Sequence, residues 1–262
     1  KGGKTVVCTN TTSFTTDFAF ITCDQGMDVA ILMDYNDANL MQPTFADYKL
    51  NAPAISANIA TLSGVNDYRI ALGIADQASS ATPNYNGSVE YTALPSSQKI
   101  VAPFAAAPSI YGYVTAVEMF QTNNAATFDT QLNKLDTVDW PLGTGPSGTQ
   151  PTGTLAASAV AAFFSSFRST ASKVIVIVTN ELPSGNTGVF DSTAVAELAS
   201  LQRECLLEGV KAIVLGDGAA ITYTDGGGVT TTPWADFAVA TGGIFNTDTS
   251  HTTLNDALVT IC

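Results

Sequence analysis

The stretch DVAILMDYNDANL, residues 28–40, runs from an apolar segment into Asp34, Asn36, Asp37 and Asn39. Carboxylate and amide oxygens gathered where a strand ends are hard donors, and a divalent cation needs several of them to replace its shed water. The spacing does not complete a calcium loop of the D-x-[DN]-x-[DN]-G kind, because Ala38 holds the fifth position. Catalysis finds less support. Nucleophilic chemistry needs a base beside the nucleophile, most often histidine; the single one, His251, lies near the start of the last helical segment and reads as a surface or capping residue. GPSG at 145–148 is not the G-x-S-x-G nucleophile elbow. DGGGV at 225–229 leads into no helix, which removes a phosphate cradle. Glu204 and Glu208 lie one helical turn apart and read as a solvated face. No basic residue adjoins any cysteine, so none is set up as a thiolate. The chain reads as a non-enzyme.

These residues sit in a chain of 262 residues, enough for one large α/β domain with a substantial core. Charged residues make up 13%, about half the usual share, and hydroxyls and amides supply much of the polar surface. A net charge of −13 excludes nucleic acid, whose phosphates need clustered Lys and Arg, and disfavours anionic membrane surfaces. Cationic partners and divalent metals remain compatible with it. The four cysteines, Cys8, Cys23, Cys205 and Cys262, form no C-x-x-C pair. An even count in a hydroxyl-rich, charge-poor chain points to two disulfides and a secreted or cell-surface setting, with three pairings open. Sequons at Asn10 and Asn86 agree with that setting as glycosylation candidates. The chain begins at Lys1 without a signal-like segment, which reads as a mature, processed form. No apolar run approaches the roughly 20 residues of a membrane span.

The positioning elements follow from the hydrophobic period. Residues 1–27 read as a Thr-rich extension holding two cysteines, and 28–262 as one domain. DVAILM at 28–33, YRIALGIA at 68–75, KVIVIVTN at 173–180 and VKAIVLG at 210–216 read as strands, the first, third and fourth apolar on both faces, as in a central parallel sheet. Helices are expected over 44–62 (with a kink or late start at Pro53), 125–136, 155–167, 189–208, 233–243 and 253–261. On the fourth of these, Val195, Leu198, Leu201, Cys205 and Leu206 share a face, and Gly209 stands where a C-terminal glycine cap belongs. Insertions fall near 76–112, where SVEYTAL and KIVAPF are expected to pair as a β-hairpin, and near 219–233, a hairpin with a glycine tip. IFNT at 244–247 reads as an edge strand. Phe163, Phe164 and Phe167 read as core, while Tyr85, Tyr91, Tyr111, Tyr113 and Tyr223 suit either an interface or turn packing. Alternating strands and helices predict an α/β, doubly wound, Rossmann-like, mostly parallel sheet flanked by helices, with β-hairpin insertions.

In this order the pieces resemble the von Willebrand factor A (VWA) family. DVAILMDYNDAN is similar to its first strand and D-x-S-x-S loop, PSGTQPTGTLAAS to its G-T-x-T-G-x-A-L loop and helix, and KVIVIVTNELPSG to the strand that usually ends in T-D-G. GVKAIVLGDG and ATGGIFNTDTS with TLNDAL correspond to the closing strands and helix. The resemblance spans about residues 28–261 and implies an adhesion site that holds Mg²⁺ or Mn²⁺ at the carboxyl ends of the strands. Carried over, that site falls on Asp34, Asn36, Thr149 (Thr152 in the shifted register) and Asn180. It is degenerate here: Asn36 replaces a serine, Ala38 replaces another, and Asn180 replaces an aspartate, with Asp37 or Glu181 as the residues that would have to compensate. The resemblance also implies a Cys23–Cys262 clamp between the domain ends, which leaves Cys8–Cys205; Cys8–Cys23 with Cys205–Cys262 is the rival pairing.

The expected function is an extracellular, non-enzymatic interaction or adhesion module, with other extracellular proteins as partners. The alternative is a self-assembling subunit of an extracellular filament, fibre or sheath, with copies of itself as partners. A weaker reading keeps divalent-metal-dependent ligand binding, through Mg²⁺ or Ca²⁺.

Overall fold

The computed structural model describes residues 23, 26–35, 41–64, 67–78, 82–101, 111–142, 156, 159–160, 166–184, 190–217 and 222–262. Strand β1 (Met27–Asp34) is buried along its whole length and lies at the middle of a seven-stranded sheet. On one side it pairs in parallel with β2 (Tyr68–Ala78), and on the other with β5 (Ser172–Thr179). Ile31 stands opposite Leu72 and Val176. Beyond β5 come β6 (Val210–Gly216) and the short β9 (Ile244–Asn246), both parallel. Beyond β2, β4 (Tyr111–Glu118) and the edge strand β3 (Lys99–Val101) are antiparallel. The chain moves from β1 to one side and later from β5 to the other, so the winding reverses between these two strands.

Both faces of the sheet are covered. Odd-numbered residues of β1, such as Val29, Ile31 and Met33, join one core with helices α1 (Gln42–Leu50), α2 (Ala52–Leu62), α4 (Ala125–Lys134) and α7 (His251–Ile261). Even-numbered Ala30 and Leu32 join a second core with the helical residues Ala156, Ala159 and Val160, with α5 (Ser192–Glu208) and with α6 (Pro233–Ala240). A fully buried aliphatic side chain contributes about 1.5–3 kcal/mol, which is why strands buried on both faces must be apolar at every position.

The expected doubly wound α/β sheet is the observed one, with local differences. The helix expected over 44–62 is two helices that break at Asn51, and Pro53 falls in the first turn of α2, where its missing N–H is harmless. SVEYTAL does not form a strand: Ser88 accepts the amide of Tyr91 and starts a short helix, α3 (Val89–Ala93). The strand Lys99–Val101 pairs instead with β4, which the sequence reading missed. The expected ribbon near 219–233 is present as β7 (Tyr223–Thr224) and β8 (Thr230–Thr231), and Asp225 Oδ1 accepts the amides of Gly227 and Val229 across its tip. Gly209 closes α5 at φ 68°, a left-handed conformation that favours glycine. The expected extension lies outside the described residues up to residue 22. Among the described residues no helix is long and apolar enough to cross a membrane.

Candidate functional site

The point where the winding reverses is the carboxyl ends of β1 and β5, the usual ligand crevice of an open α/β sheet. Asp34, the last residue of β1, is buried there on the face of Leu32. Thr179, the last residue of β5, donates its hydroxyl to Asp34 Oδ2 at 2.8 Å. The same hydroxyl accepts the amide of Glu181 at 3.0 Å. The loop after β5 is fixed further by Trp234, whose indole nitrogen donates to Glu181 O at 2.8 Å, and by the Asp217 amide on Thr179 O at 3.1 Å. Between these anchors stands Asn180, 3% exposed, and neither its Oδ1 nor its Nδ2 has a hydrogen-bond partner among the described residues.

The structure therefore brings two of the four expected donors, Asp34 and Asn180, to the same end of the sheet. Asn36 and Thr149, with Asp37, Ala38 and Thr152, lie outside the described residues. Among the described residues no group of three or more His, Cys, Asp or Glu side chains could hold a metal ion. One carboxylate, already engaged by a hydroxyl, and one neutral amide are too little charge to offset the desolvation of a divalent cation. The described residues by themselves do not fit one. What this end offers is a buried acceptor and donor on Asn180 without a partner among the described residues.

Beside it lies a cleft of about 380 Å³ whose apolar walls include Phe190, Val195, Leu198, Tyr223, Val229 and Phe237. It opens between the upper half of α5, the β7–β8 ribbon and the first turn of α6. The sequence reading did not find it. Val195 and Leu206 were expected on the buried face of α5, but they are 51% and 54% exposed, because α5 packs through the narrow stripe of Ala194, Leu201 and Cys205. Val195 instead edges the cleft.

The opposite end of the sheet carries a cluster that local sequence patterns do not reveal. Asp28, fully buried, accepts from Arg69 Nε at 3.0 Å, from Arg168 Nε at 2.9 Å and from the Arg168 amide at 2.7 Å. Arg168 also pairs with Asp67. Burial pushes the Asp28 carboxyl up, but the hydrogen bonds from Arg69 and Arg168 outweigh it and hold the pKa below its ordinary value. At this same end Cys23 is bonded to Cys262, Cα to Cα 5.2 Å, as the family resemblance implied. Cys205, expected to pair with Cys8, makes no disulfide among the described residues; it is buried in the second core among apolar neighbours, and its pKa is pushed up to about 12 by burial. Cys8 lies outside the described residues, as does Asn10. Asn86 is exposed in a turn.

His251 Nδ1 stands 2.8 Å from Asp47 Oδ1, tying α7 to α1, and its Nε2 lies 3.5 Å from the exposed Thr252 hydroxyl. Tyr85 and Tyr113 are buried, and Tyr85 meets Tyr35 and Trp140 edge-on. Phe167 packs on Phe120, with ring centres 4.9 Å apart; Phe163 and Phe164 lie outside the described residues.

Structures of proximal thread matrix protein 1 from the mussel byssus are similar to this chain. One matches with 13% identity and a TM-score of 0.50, covering 92% of this chain and 46% of that one. A second, described with a zinc-occupied MIDAS motif, matches with 13% identity and a TM-score of 0.53, covering 92% and 48%. The chain thus spans about half the length of the structures it matches. No family model matches it, and no curated protein matches it in sequence. At this identity the likeness shows the fold alone, and that fold is VWA-like.

Proposed function

We propose that this chain is a secreted or cell-surface interaction module of VWA type that works through its surface and performs no chemistry. One observation carries the reading: where the fold places its ligand crevice, Asp34 is closed against Thr179 and Asn180 supplies no charge, while an apolar cleft opens alongside. The Cys23–Cys262 disulfide fits an oxidising compartment, and exposed Asn86 is open to a glycan. The test of the module against metal-dependent capture is melting temperature with Mg²⁺, Ca²⁺ or Mn²⁺ against chelator. A cation at 100 times its Kd adds about 2.7 kcal/mol. An unchanged transition is expected, and a stabilisation of that size would overturn the metal-free reading.

A second reading, a self-assembling structural subunit, is favoured by the charge-poor surface joined to an apolar cleft, and is compatible with similarity to a protein described as a thread matrix protein. Sedimentation of the purified chain across concentration and salt separates the two. A single monomeric boundary in every condition removes the second reading and leaves another protein as the partner.

A further inference from the structure

Asn86 and Gly87 form the one Asn-Gly pair in the chain. Asparagine is among the chemically labile side chains, and glycine is its most permissive neighbour, because no Cβ hinders the next backbone nitrogen from reaching the side-chain carbonyl carbon. That attack needs an accessible amide, an N–H that no hydrogen bond holds, and room for the turn to close on itself. This turn meets all three conditions. Both residues are exposed. The amides on either side are engaged, Asn86 N–H with Pro83 O at 2.9 Å and Ser88 N–H with Tyr85 O at 3.2 Å. Among the described residues neither the Gly87 N–H nor the Asn86 side chain has a hydrogen-bond partner. Gly87 stands at φ 92°, and beyond its chain neighbours no heavy atom comes within 4 Å of where a Cβ would lie.

Asp225–Gly226, the comparable pair at the ribbon tip, differs in two respects. A carboxylate is a poorer electrophile than an amide, and Asp225 Oδ1 is held by the amides of Gly227 and Val229 at 2.8 and 2.9 Å. The surroundings of the Asn86 turn also fix what a change there would move. Before it, Tyr85 is fully buried, with its hydroxyl 2.8 Å from Thr115 Oγ1 on β4. After it, Ser88 Oγ caps α3 by accepting the Tyr91 amide at 3.2 Å. Helix α3 buries no residue, and so short a helix has little stability of its own. Of the two anchors, α3 is the weaker.

We propose that Asn86 is a site of spontaneous deamidation in the folded protein, and that a glycan and deamidation are exclusive fates of its side-chain nitrogen. The Gly87 nitrogen gives up its proton to solvent base and bonds to Asn86 Cγ; the Cγ–Nδ2 bond breaks and ammonia leaves, giving a cyclic imide. Water then opens the ring at either carbonyl. One opening gives aspartate, with the backbone unchanged. The other gives isoaspartate, in which the main chain runs through Cβ and Cγ and is one atom longer. The turn takes up that atom between buried Tyr85 and the Ser88 cap, and α3 yields. A glycan on Nδ2 keeps the nitrogen from leaving as ammonia, so the chain carries either the sugar or, with age, a new acid at this position. The glycan branch rests on the secreted reading; deamidation needs only water.

The test uses the full-length chain from a host that adds no glycans, incubated at mildly alkaline pH and mapped by peptide mass spectrometry. Exposed Asn133 and Asn246, followed by Lys134 and Thr247, serve as internal references. Asn86 is expected to become an acid at least about tenfold faster than either, a barrier lower by about 1.4 kcal/mol or more. Equal rates overturn the proposal, as does a fast reaction seen only when the chain is unfolded in urea. Hydrogen exchange then compares the fresh chain, the isoaspartate fraction and Asn86→Asp. The amides of Tyr91, Thr92 and Leu94, bonded within α3, are expected to exchange faster in the isoaspartate fraction alone. Unchanged exchange there, or an equal rise in Asn86→Asp, overturns the effect assigned to the added backbone atom. From a glycosylating host, a sugar on Asn86 is expected to persist without acid formation. An acid formed there as fast as in the bare chain overturns the exclusion, and a chain with no sugar at Asn86 removes the glycan branch while the deamidation result stands.

Discussion

Asp28 and Asp34 stand on the same strand and the same face, and both are buried, yet the two ends of β1 have different surroundings. At the lower end two arginines and a backbone amide clasp Asp28, and the clasp ties β1 to β2 through Arg69 and to the turn before β5 through Arg168. At the upper end Asp34 accepts a neutral hydroxyl, and the next residue of β5's loop, Asn180, is buried with its amide unpaired. The lower end is a clamp, with a disulfide beside it; the upper end holds Asn180 without a hydrogen-bond partner among the described residues, next to an open apolar cleft.

The comparison breaks first at Asp28. Replacing it with Ala leaves Arg69 and Arg168 without their partner in a largely buried setting and is expected to cost about 3–5 kcal/mol, read as a lower urea midpoint at constant m-value. The same carboxylate sets an acid dependence. Its folded pKa lies below the unfolded value, so between the two the unfolded chain binds more protons and stability rises with pH. The contribution is complete above the ordinary carboxylate range and is lost as pH falls through the lowered value. Asp248 is also lowered, chiefly by the hydrogen bond from Thr253, so the measurement is the difference between wild type and Asp28→Asn from pH 6 downward. A gap that shrinks with acid supports the clamp. A gap independent of pH would mean that Asp28 acts only through packing.

The disulfide is the next largest effect. Cys23 and Cys262 are separated by 239 positions, and opening such a loop by Cys23→Ser with Cys262→Ser is expected to cost about 2–4 kcal/mol, the usual range for a disulfide. Equilibrium unfolding of this pair against wild type measures it. Because the bond sits at the lower end, the variant sharpens the contrast further: hydrogen exchange is expected to speed up near Met27, Ser172 and Ile261 and to change little at Thr179 to Glu181. Equal acceleration at both ends would show that the sheet opens as one unit and that the division into clamp and slack end is not energetic.

What could be read from the sequence follows the same division by physical cause. β1, β5 and β6 were legible because burial on both faces leaves continuous apolar runs, and Gly209 because a helix end that needs positive φ favours glycine. Asp34 and Asn180 were placed at one end of the sheet by their motifs, and the structure puts them there. The Asp28–Arg69–Arg168 clasp was invisible because its members are 41 and 140 positions apart and charge pairing at that range has no local period. SVEYTAL misled because Val, Tyr and Thr favour strands, while a single side-chain cap from Ser88 decides for a helix. The cleft could not be read because it needs three segments together, and the helical period of α5 assigned Val195 to a buried face that the actual packing stripe leaves out.

The smallest effect is the most exacting for the upper end, because its sign is opposite. A buried polar group with no partner costs about 1–3 kcal/mol, and Asn180 has two such atoms. Leucine has a similar reach and no polar atom, so Asn180→Leu is expected to stabilise the fold by about 1 kcal/mol, after some loss to imperfect packing of the longer branch. Urea unfolding resolves a change of that size if the m-value is unchanged. Asp28→Asn and Asn180→Leu thus form a matched pair, one polar change at each end of adjacent strands, with opposite expected signs. A loss of 1 kcal/mol or more in Asn180→Leu would mean that the amide is satisfied in solution. The upper end would then be as tightly held as the lower, and the reason for looking there for a binding surface would reduce to the cleft alone.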